Sequence, residues 1–123
     1  MGQMRIGVVG SRGWSDYERV VQVLDALQPT EVVSGGAKGA DSMGERYAKE
    51  RGIPTRIFYP KPEDFGGNFG RAAFARNEDI VRNSDFIVAF WDGKSNGTKN
   101  SIDHAKRLGI PLMVIVPEGF CVL

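Results

Sequence analysis

Five short apolar runs recur along the chain: Arg5–Gly10 (RIGVVG), Thr30–Ser34 (TEVVS), Thr55–Tyr59 (TRIFY), Phe86–Phe90 (FIVAF) and Pro111–Val116 (PLMVIV). They are rich in β-branched residues and nearly continuous rather than alternating, the pattern of strands covered on both faces. Between them the spacing becomes helical. Tyr17, Val20, Val21, Leu24 and Leu27 form one apolar stripe, opened by Ser15 and Glu18 in capping-box relation and stopped by Pro29. Further helices are predicted over about residues 39–51, closing at Gly52, over about 71–82, and over about 97–108, closing at Gly109.

Strand and helix alternate from end to end, with no repeat, linker or low-complexity tract. This predicts an α/β fold across residues 1–123 as one domain, with a mainly parallel five-stranded sheet and helices on both faces. The one long connection is the loop Pro60–Gly70. In such a sheet, ligands bind at the carboxyl ends of the strands.

Composition narrows the function classes. The chain has 123 residues, with 16 basic against 15 acidic, so its formal charge of +1 gives no general attraction to a polyanion. A single cysteine, Cys121, leaves no internal disulfide and fits a reducing compartment. No apolar stretch is long enough to span a bilayer, so a cytoplasmic protein with no membrane partner is expected. His104 has no second histidine or cysteine at ligand spacing, so neither a metal nor a cofactor is expected.

Three strand-to-helix turns fall at the carboxyl edge, each with small residues and a basic side chain. They are Gly10-Ser11-Arg12 after the first strand, Ser34-Gly35-Gly36-Ala37-Lys38-Gly39-Ala40-Asp41 after the second, and Trp91 to Thr98 after the fourth, including Asn96 and Gly97. Helix starts present unpaired amides and partial positive charge, so glycines there would admit a phosphate and Lys38 would add a point charge. The P-loop pattern fails because Gly39, not Ser or Thr, follows Lys38. The dinucleotide pattern G-x-G-x-x-G is absent at the first turn, where the glycines are Gly7, Gly10 and Gly13, and Ser34 stands where a ribose-binding acid belongs. Arg76, on the face of its helix shared with Ala72, Ala73 and Ile80, is expected to contact phosphate or ribose, with Asn77 beside it. Trp14 and Trp91, and Tyr59, Phe65 and Phe69, are equally read as base-stacking or as packing residues.

Taken together, VVGSRGW, VVSGGAKGAD, Ala75-Arg76-Asn77, SDFIVAFWDG and NGTKNSI resemble the SLOG superfamily, in particular its small YspA/YpsA-related branch. The resemblance implies a Rossmann-like three-layer sandwich that binds a nucleotide or nucleotide-derived molecule. VVSGGAKGAD is also similar to a segment of the DNA-processing protein A family, which implies single-stranded DNA as an alternative partner. Arg76 with Asn96-Gly97-Thr98 resembles LOG-type phosphoribohydrolases, implying N-glycosidic hydrolysis of nucleoside monophosphates and a homodimer or larger assembly. Their motif ends in a glutamate, and Ser101 stands at that position here. Serine cannot stabilise an oxocarbenium-like charge as a carboxylate does. Arg76, Asp41 and Asp92 are the remaining catalytic candidates, with Asp103 a further carboxylate that spacing alone does not place.

Overall fold

The computed structural model of the chain describes residues 2–122, with side chains to residue 120, so the side chain of Cys121 lies outside the described set. Its elements run β1 (Arg5–Gly10), α1 (Tyr17–Leu27), β2 (Glu31–Ser34), α2 (Ala40–Arg51) and β3 (Thr55–Ile57). A 3-10 turn (Pro62–Phe65) precedes α3 (Phe69–Arg82), β4 (Phe86–Phe90), α4 (Asn96–Leu108), β5 (Leu112–Val116) and β6 (Gly119–Val122).

These strands form one sheet in the order β3-β2-β1-β4-β5-β6. The first five are parallel and β6 pairs antiparallel to β5, so the sheet has one strand more than the sequence pattern predicts. That edge strand follows β5 after only two residues and is too short to carry a pattern of its own. At the other edge, β3 is exposed at Thr55 and Arg56, unlike the buried strand expected there, because it has a neighbour on one side only. No described helix is long and apolar enough to cross a membrane.

Two apolar layers separate the sheet from its helices. On one face Ile6, Val8, Val32 and Val88 pack under Val20 and Leu24 of α1 and Tyr47 and Ala48 of α2. On the other, Val33, Ile87, Ala89 and Val114 pack under Ile80 and Val81 of α3 and Ile102 and Ala105 of α4. Continuous apolar strands are therefore required, since alternate residues feed opposite layers. The architecture is the Rossmann-like α/β sandwich.

Helix starts differ from the sequence expectation in detail. At α1 the cap is Asp16, not Ser15: its carboxylate accepts the Arg19 amide at 3.1 Å, while Ser15 and Glu18 are exposed. Asn68 accepts the Arg71 amide and starts α3 two residues before Arg71. Ser95 caps α4. Only α2 begins without a side-chain cap, at Gly39, whose φ of 81° is unfavourable for any other residue.

The chain leaves β1 toward β2 and β3 on one side, and returns to lay β4 and β5 on the other. The carboxyl ends of β1 and β4 thus flank the crevice created where strand order reverses. Close packing keeps that crevice in place. Gly44 of α2 faces Val8 of β1 so tightly that an added Cβ would lie 2.8 Å from Val8 Cγ1 and 2.9 Å from Val8 Cβ. A helix-interior Gly→Ala change ordinarily stabilises by about 1 kcal/mol. Here we expect Gly44→Ala to destabilise by about 1–3 kcal/mol through overpacking. The same change in a Val8→Ala background should cost less, or stabilise. Urea unfolding of the four proteins checks this, and additive effects would refute it.

Candidate functional site

The three turns singled out from the sequence meet. They enclose a cleft of about 850 Å³ at the carboxyl edge of the sheet. Its walls include Gly10 and Arg12 after β1, Gly35 to Lys38 and Asp41 around the start of α2, and Asp92, Gly97 and Thr98 around the start of α4. Arg76 and Asn77 of α3 close the remaining side. Ser11, Ser34, Gly39, Trp91 and Asn96 are not on its surface.

Ser11 is nonetheless central to its construction. Buried to 2% exposure, it donates its amide to Phe90 O at 2.9 Å and accepts the Asp92 amide on its hydroxyl at 3.0 Å. Its carbonyl accepts the amides of Trp14 (3.1 Å) and Ala40 (3.3 Å). One residue therefore fixes the ends of β1 and β4 and the start of α2.

The turn SGGAKGAD is built around a buried carboxyl. Asp41, 5% exposed, accepts the amides of Gly35 (3.1 Å) and Ala37 (3.5 Å) on Oδ2. The Gly36 amide goes to Ser34 Oγ, and that hydroxyl donates to Glu45. On the far side, Arg76 donates Nη1 to the carbonyls of Gly35 and of Phe58 (3.0 Å), and Nε to Asn77 Oδ1 (3.1 Å). A Cβ on residue 35 would sit 2.7 Å from Arg76 Nη1 and 2.8 Å from Asp41 Oδ2. Glycine is required there because the protein itself, not a ligand, approaches the backbone.

This revises the sequence reading of the turn. The amides of Gly35, Gly36 and Ala37 are already taken, and Ser34 is fully buried. Arg76 spends Nε and Nη1 on protein oxygens, which leaves only Nη2 for a ligand instead of a fork bridging two ligand groups. Asn77 joins it, donating to Gly97 O (3.3 Å) and Asn100 Oδ1 (3.1 Å) and so tying α3 to α4. Among the described residues, no protein acceptor takes the amides of Lys38, Gly39, Asp41 or Ser42 at the uncapped start of α2. At α4 the same holds for Asn96 and Gly97, while Thr98 donates its amide to Ser95 Oγ (3.4 Å). Arg12 and Lys38 are exposed, and neither makes a hydrogen bond or ion pair among the described residues.

The carboxylates of the cleft behave oppositely. Burial pushes Asp41 up to about 6, although Arg76 and the two amides pull it down. Asp92 is exposed, and the amides of Lys94 (2.8 Å) and Ser95 (2.9 Å) on Oδ1 hold it below the usual range. Ser101, on the cleft wall, donates its hydroxyl to Gly97 O (3.4 Å).

Neither tryptophan stacks in the cleft. Trp14 is buried against Phe90, ring centroids 5.4 Å apart, and Trp91 packs in the α3–α4 layer with its indole N–H on Ser95 O. The aromatic rings at the cleft are Tyr59, Phe69 and Phe74; Phe65 is not among them. Phe74 was missed because it lies off the buried stripe of α3, and that displacement was the available signal.

A family described as YspA, cpYpsA-related SLOG matches residues 4–64. The gene 61 protein of Mycobacterium phage D29 is 34% identical over 119 residues, spanning 89% of this chain and 94% of the relative. Translation initiation factor IF-2 of Bartonella henselae is 32% identical over 114 residues, 93% of this chain but only 13% of that protein. Among solved structures, DNA processing protein A from Helicobacter pylori, whose single-stranded DNA binding mode was described with it, superposes with a TM-score of 0.72 at 20% identity. That match covers 91% of this chain and 65% of the other, and it shows a shared fold.

The raised pKa of Asp41 has a testable consequence. A carboxyl whose folded pKa lies above its unfolded value of 3.8 favours the folded state most when protonated. Its contribution is therefore complete below about pH 4 and is lost as pH rises through about 6. The loss is on the order of 3 kcal/mol. Asp41→Asn should flatten the fall in stability over this window relative to wild type, read by urea unfolding at pH 4, 5, 6 and 7. Parallel pH profiles for the two proteins would refute it.

Proposed function

Since this chain belongs to the YspA, cpYpsA-related SLOG family, we propose that its cleft binds a phosphate-bearing, nucleotide-derived small molecule. The observation that carries this reading is the convergence of two cations unpaired among the described residues, Arg12 and Lys38, with the free amides of Lys38, Asp41 and Gly97 at two helix starts in one cleft. The uncapped α2 supplies the stronger of the two amide clusters, because no side chain competes for its first turn. A phosphate there would meet Lys38 directly, and the Gly97 amide of α4 would serve a second anionic or hydroxyl group. The volume falls within that of small-molecule sites.

Binding is favoured over glycosidic hydrolysis. Ser101 occupies the position where the related hydrolase motif has its glutamate. Both carboxylates of the cleft commit an oxygen to backbone amides of their own turns. A second reading, single-stranded nucleic acid, draws on the aromatic rings at the cleft and on the Helicobacter pylori neighbour. It requires steep salt dependence and several nucleotides per site.

A thermal-shift screen over nucleoside mono-, di-, tri- and cyclic phosphates tests the leading reading. A ligand at a hundred times its dissociation constant should stabilise the protein by about 2.7 kcal/mol. Lys38→Ala and Arg12→Ala should each weaken that binding about tenfold while leaving the unliganded protein's stability unchanged. Arg76→Ala should instead lower stability itself by about 3 kcal/mol, since it leaves the carbonyls of Gly35 and Phe58 without their side-chain donor and removes the positive charge near buried Asp41. Silence from every nucleotide, or normal binding by the Lys38 and Arg12 variants, would overturn the assignment.

A further inference from the structure

Among the described residues, the large apolar side chains exposed to water are Tyr59 (63%), Phe69 (53%), Phe74 (43%) and Phe120 (68%). Three of these four lie on one feature, the cleft just described. Phe120 is elsewhere, on β6. Scattered single exposures need no explanation, but a cluster at a concave site marks a surface that is covered when occupied.

The arrangement on α3 is ordered along the helix. Phe69, Gly70, Ala73 and Phe74 face the cleft at its N-terminal end, and Arg76 and Asn77 face it further along. Gly70 is informative because packing does not demand glycine there. An added Cβ would meet only Asn68 Oδ1, at 3.6 Å. Glycine in a helix is costly, so its effect at this position is to leave open space beside the two phenylalanines. Across the cleft, Tyr59 packs against the backbone of Gly36, since a Cβ on that residue would lie 2.6 Å from Tyr59 Cε1. An aromatic face thus abuts the turn that carries Lys38.

We propose that Tyr59, Phe69 and Phe74 form a stacking subsite for one planar nucleobase, so the cleft selects nucleobase-bearing phosphates over other phosphates. This rests on the anion-binding reading above and adds the part of the ligand that reading does not specify. The occupant is a flat heterocycle, because aromatic rings favour offset or edge contacts with another π system, and each base stacked on an aromatic side chain strengthens binding about fivefold to a hundredfold. A flexible aliphatic chain would gain no comparable benefit from three rings.

Isothermal titration of the whole chain with adenosine, guanosine, cytidine and uridine 5′-monophosphates, and with ribose 5-phosphate, tests this. At least one nucleotide should bind tenfold or more tightly than ribose 5-phosphate. Phe69→Ala and Phe74→Ala, exposed and therefore foldable, should erase that margin while leaving ribose 5-phosphate affinity unchanged. Gly70→Leu should do the same by filling the open space, without loss of thermal stability. Equal affinity for nucleotide and ribose 5-phosphate would overturn the stacking subsite and leave the anion site standing. Binding of free nucleosides but not of ribose 5-phosphate would retain the subsite and overturn the anion site; binding of neither would overturn both. A change in oligomeric state in the phenylalanine variants, with nucleotide affinity intact, would assign the rings to a contact between copies and overturn the proposal.

Discussion

A carboxyl and a guanidinium, both withdrawn from water, meet the backbone of one glycine at the carboxyl end of β2. Burying ionisable groups costs several kcal/mol unless their hydrogen-bonding capacity is met. Here it is met almost entirely by main chain: Asp41 takes the amides of Gly35 and Ala37, and Arg76 gives to the carbonyls of Gly35 and Phe58. The chain between β2 and α2 has little choice of path once these bonds must form. Because Arg76 also binds Asn77, which reaches Gly97 and Asn100, the same cluster ties α3 to α4. The floor of the cleft is held by groups whose buried side-chain polar atoms are all paired among the described residues.

Those commitments limit what remains for a partner. Donors already used in the fold cannot be recruited without leaving a buried group unpaired, a loss of about 1–3 kcal/mol each. What is left is Arg12, Lys38, Nη2 of Arg76, the amides of Lys38, Asp41 and Gly97 at the starts of α2 and α4, and three aromatic rings. The amides among them are held by Ser11, Ser95 and the Asp41 cluster, so little backbone ordering remains for binding to complete. The near-neutral total charge is no obstacle, because anion recognition here depends on a few fixed donors rather than a long-range field.

Most of the fold was legible from the sequence, and the site was legible in outline. Continuous β-branched runs identified the parallel strands, and the stripe through Val20 and Leu24 identified α1, because burial on both faces or on one stripe leaves a periodic trace. What failed was local. Asp16 rather than Ser15 caps α1, a choice between adjacent acceptors that is decided by backbone angles a pattern does not carry. β6 was missed because four residues after a two-residue turn show no period. In SGGAKGAD, glycine content was read as room for a ligand, whereas at residue 35 the room is filled by Arg76 and Asp41. Composition tells that something approaches the backbone closely; it does not tell whether that something is the protein.

The same point explains how this scaffold could carry different recognition in different relatives. The Ser11 joint and the SGGAKGAD turn fall within residues 4–64, the stretch that carries the family match. They perform structural work that any ligand would require: fixing two strand ends and orienting the start of α2. Arg76 and Asn77 lie outside that stretch and complete the floor from α3, while Phe69 and Phe74, about two turns and half a turn before Arg76 on the same helix, are exposed. Substitutions on that outer segment change what the cleft presents without disturbing the buried charges beneath it. Selectivity is therefore most easily altered along the first two turns of α3, and least easily in the glycine-rich turn that first draws the eye.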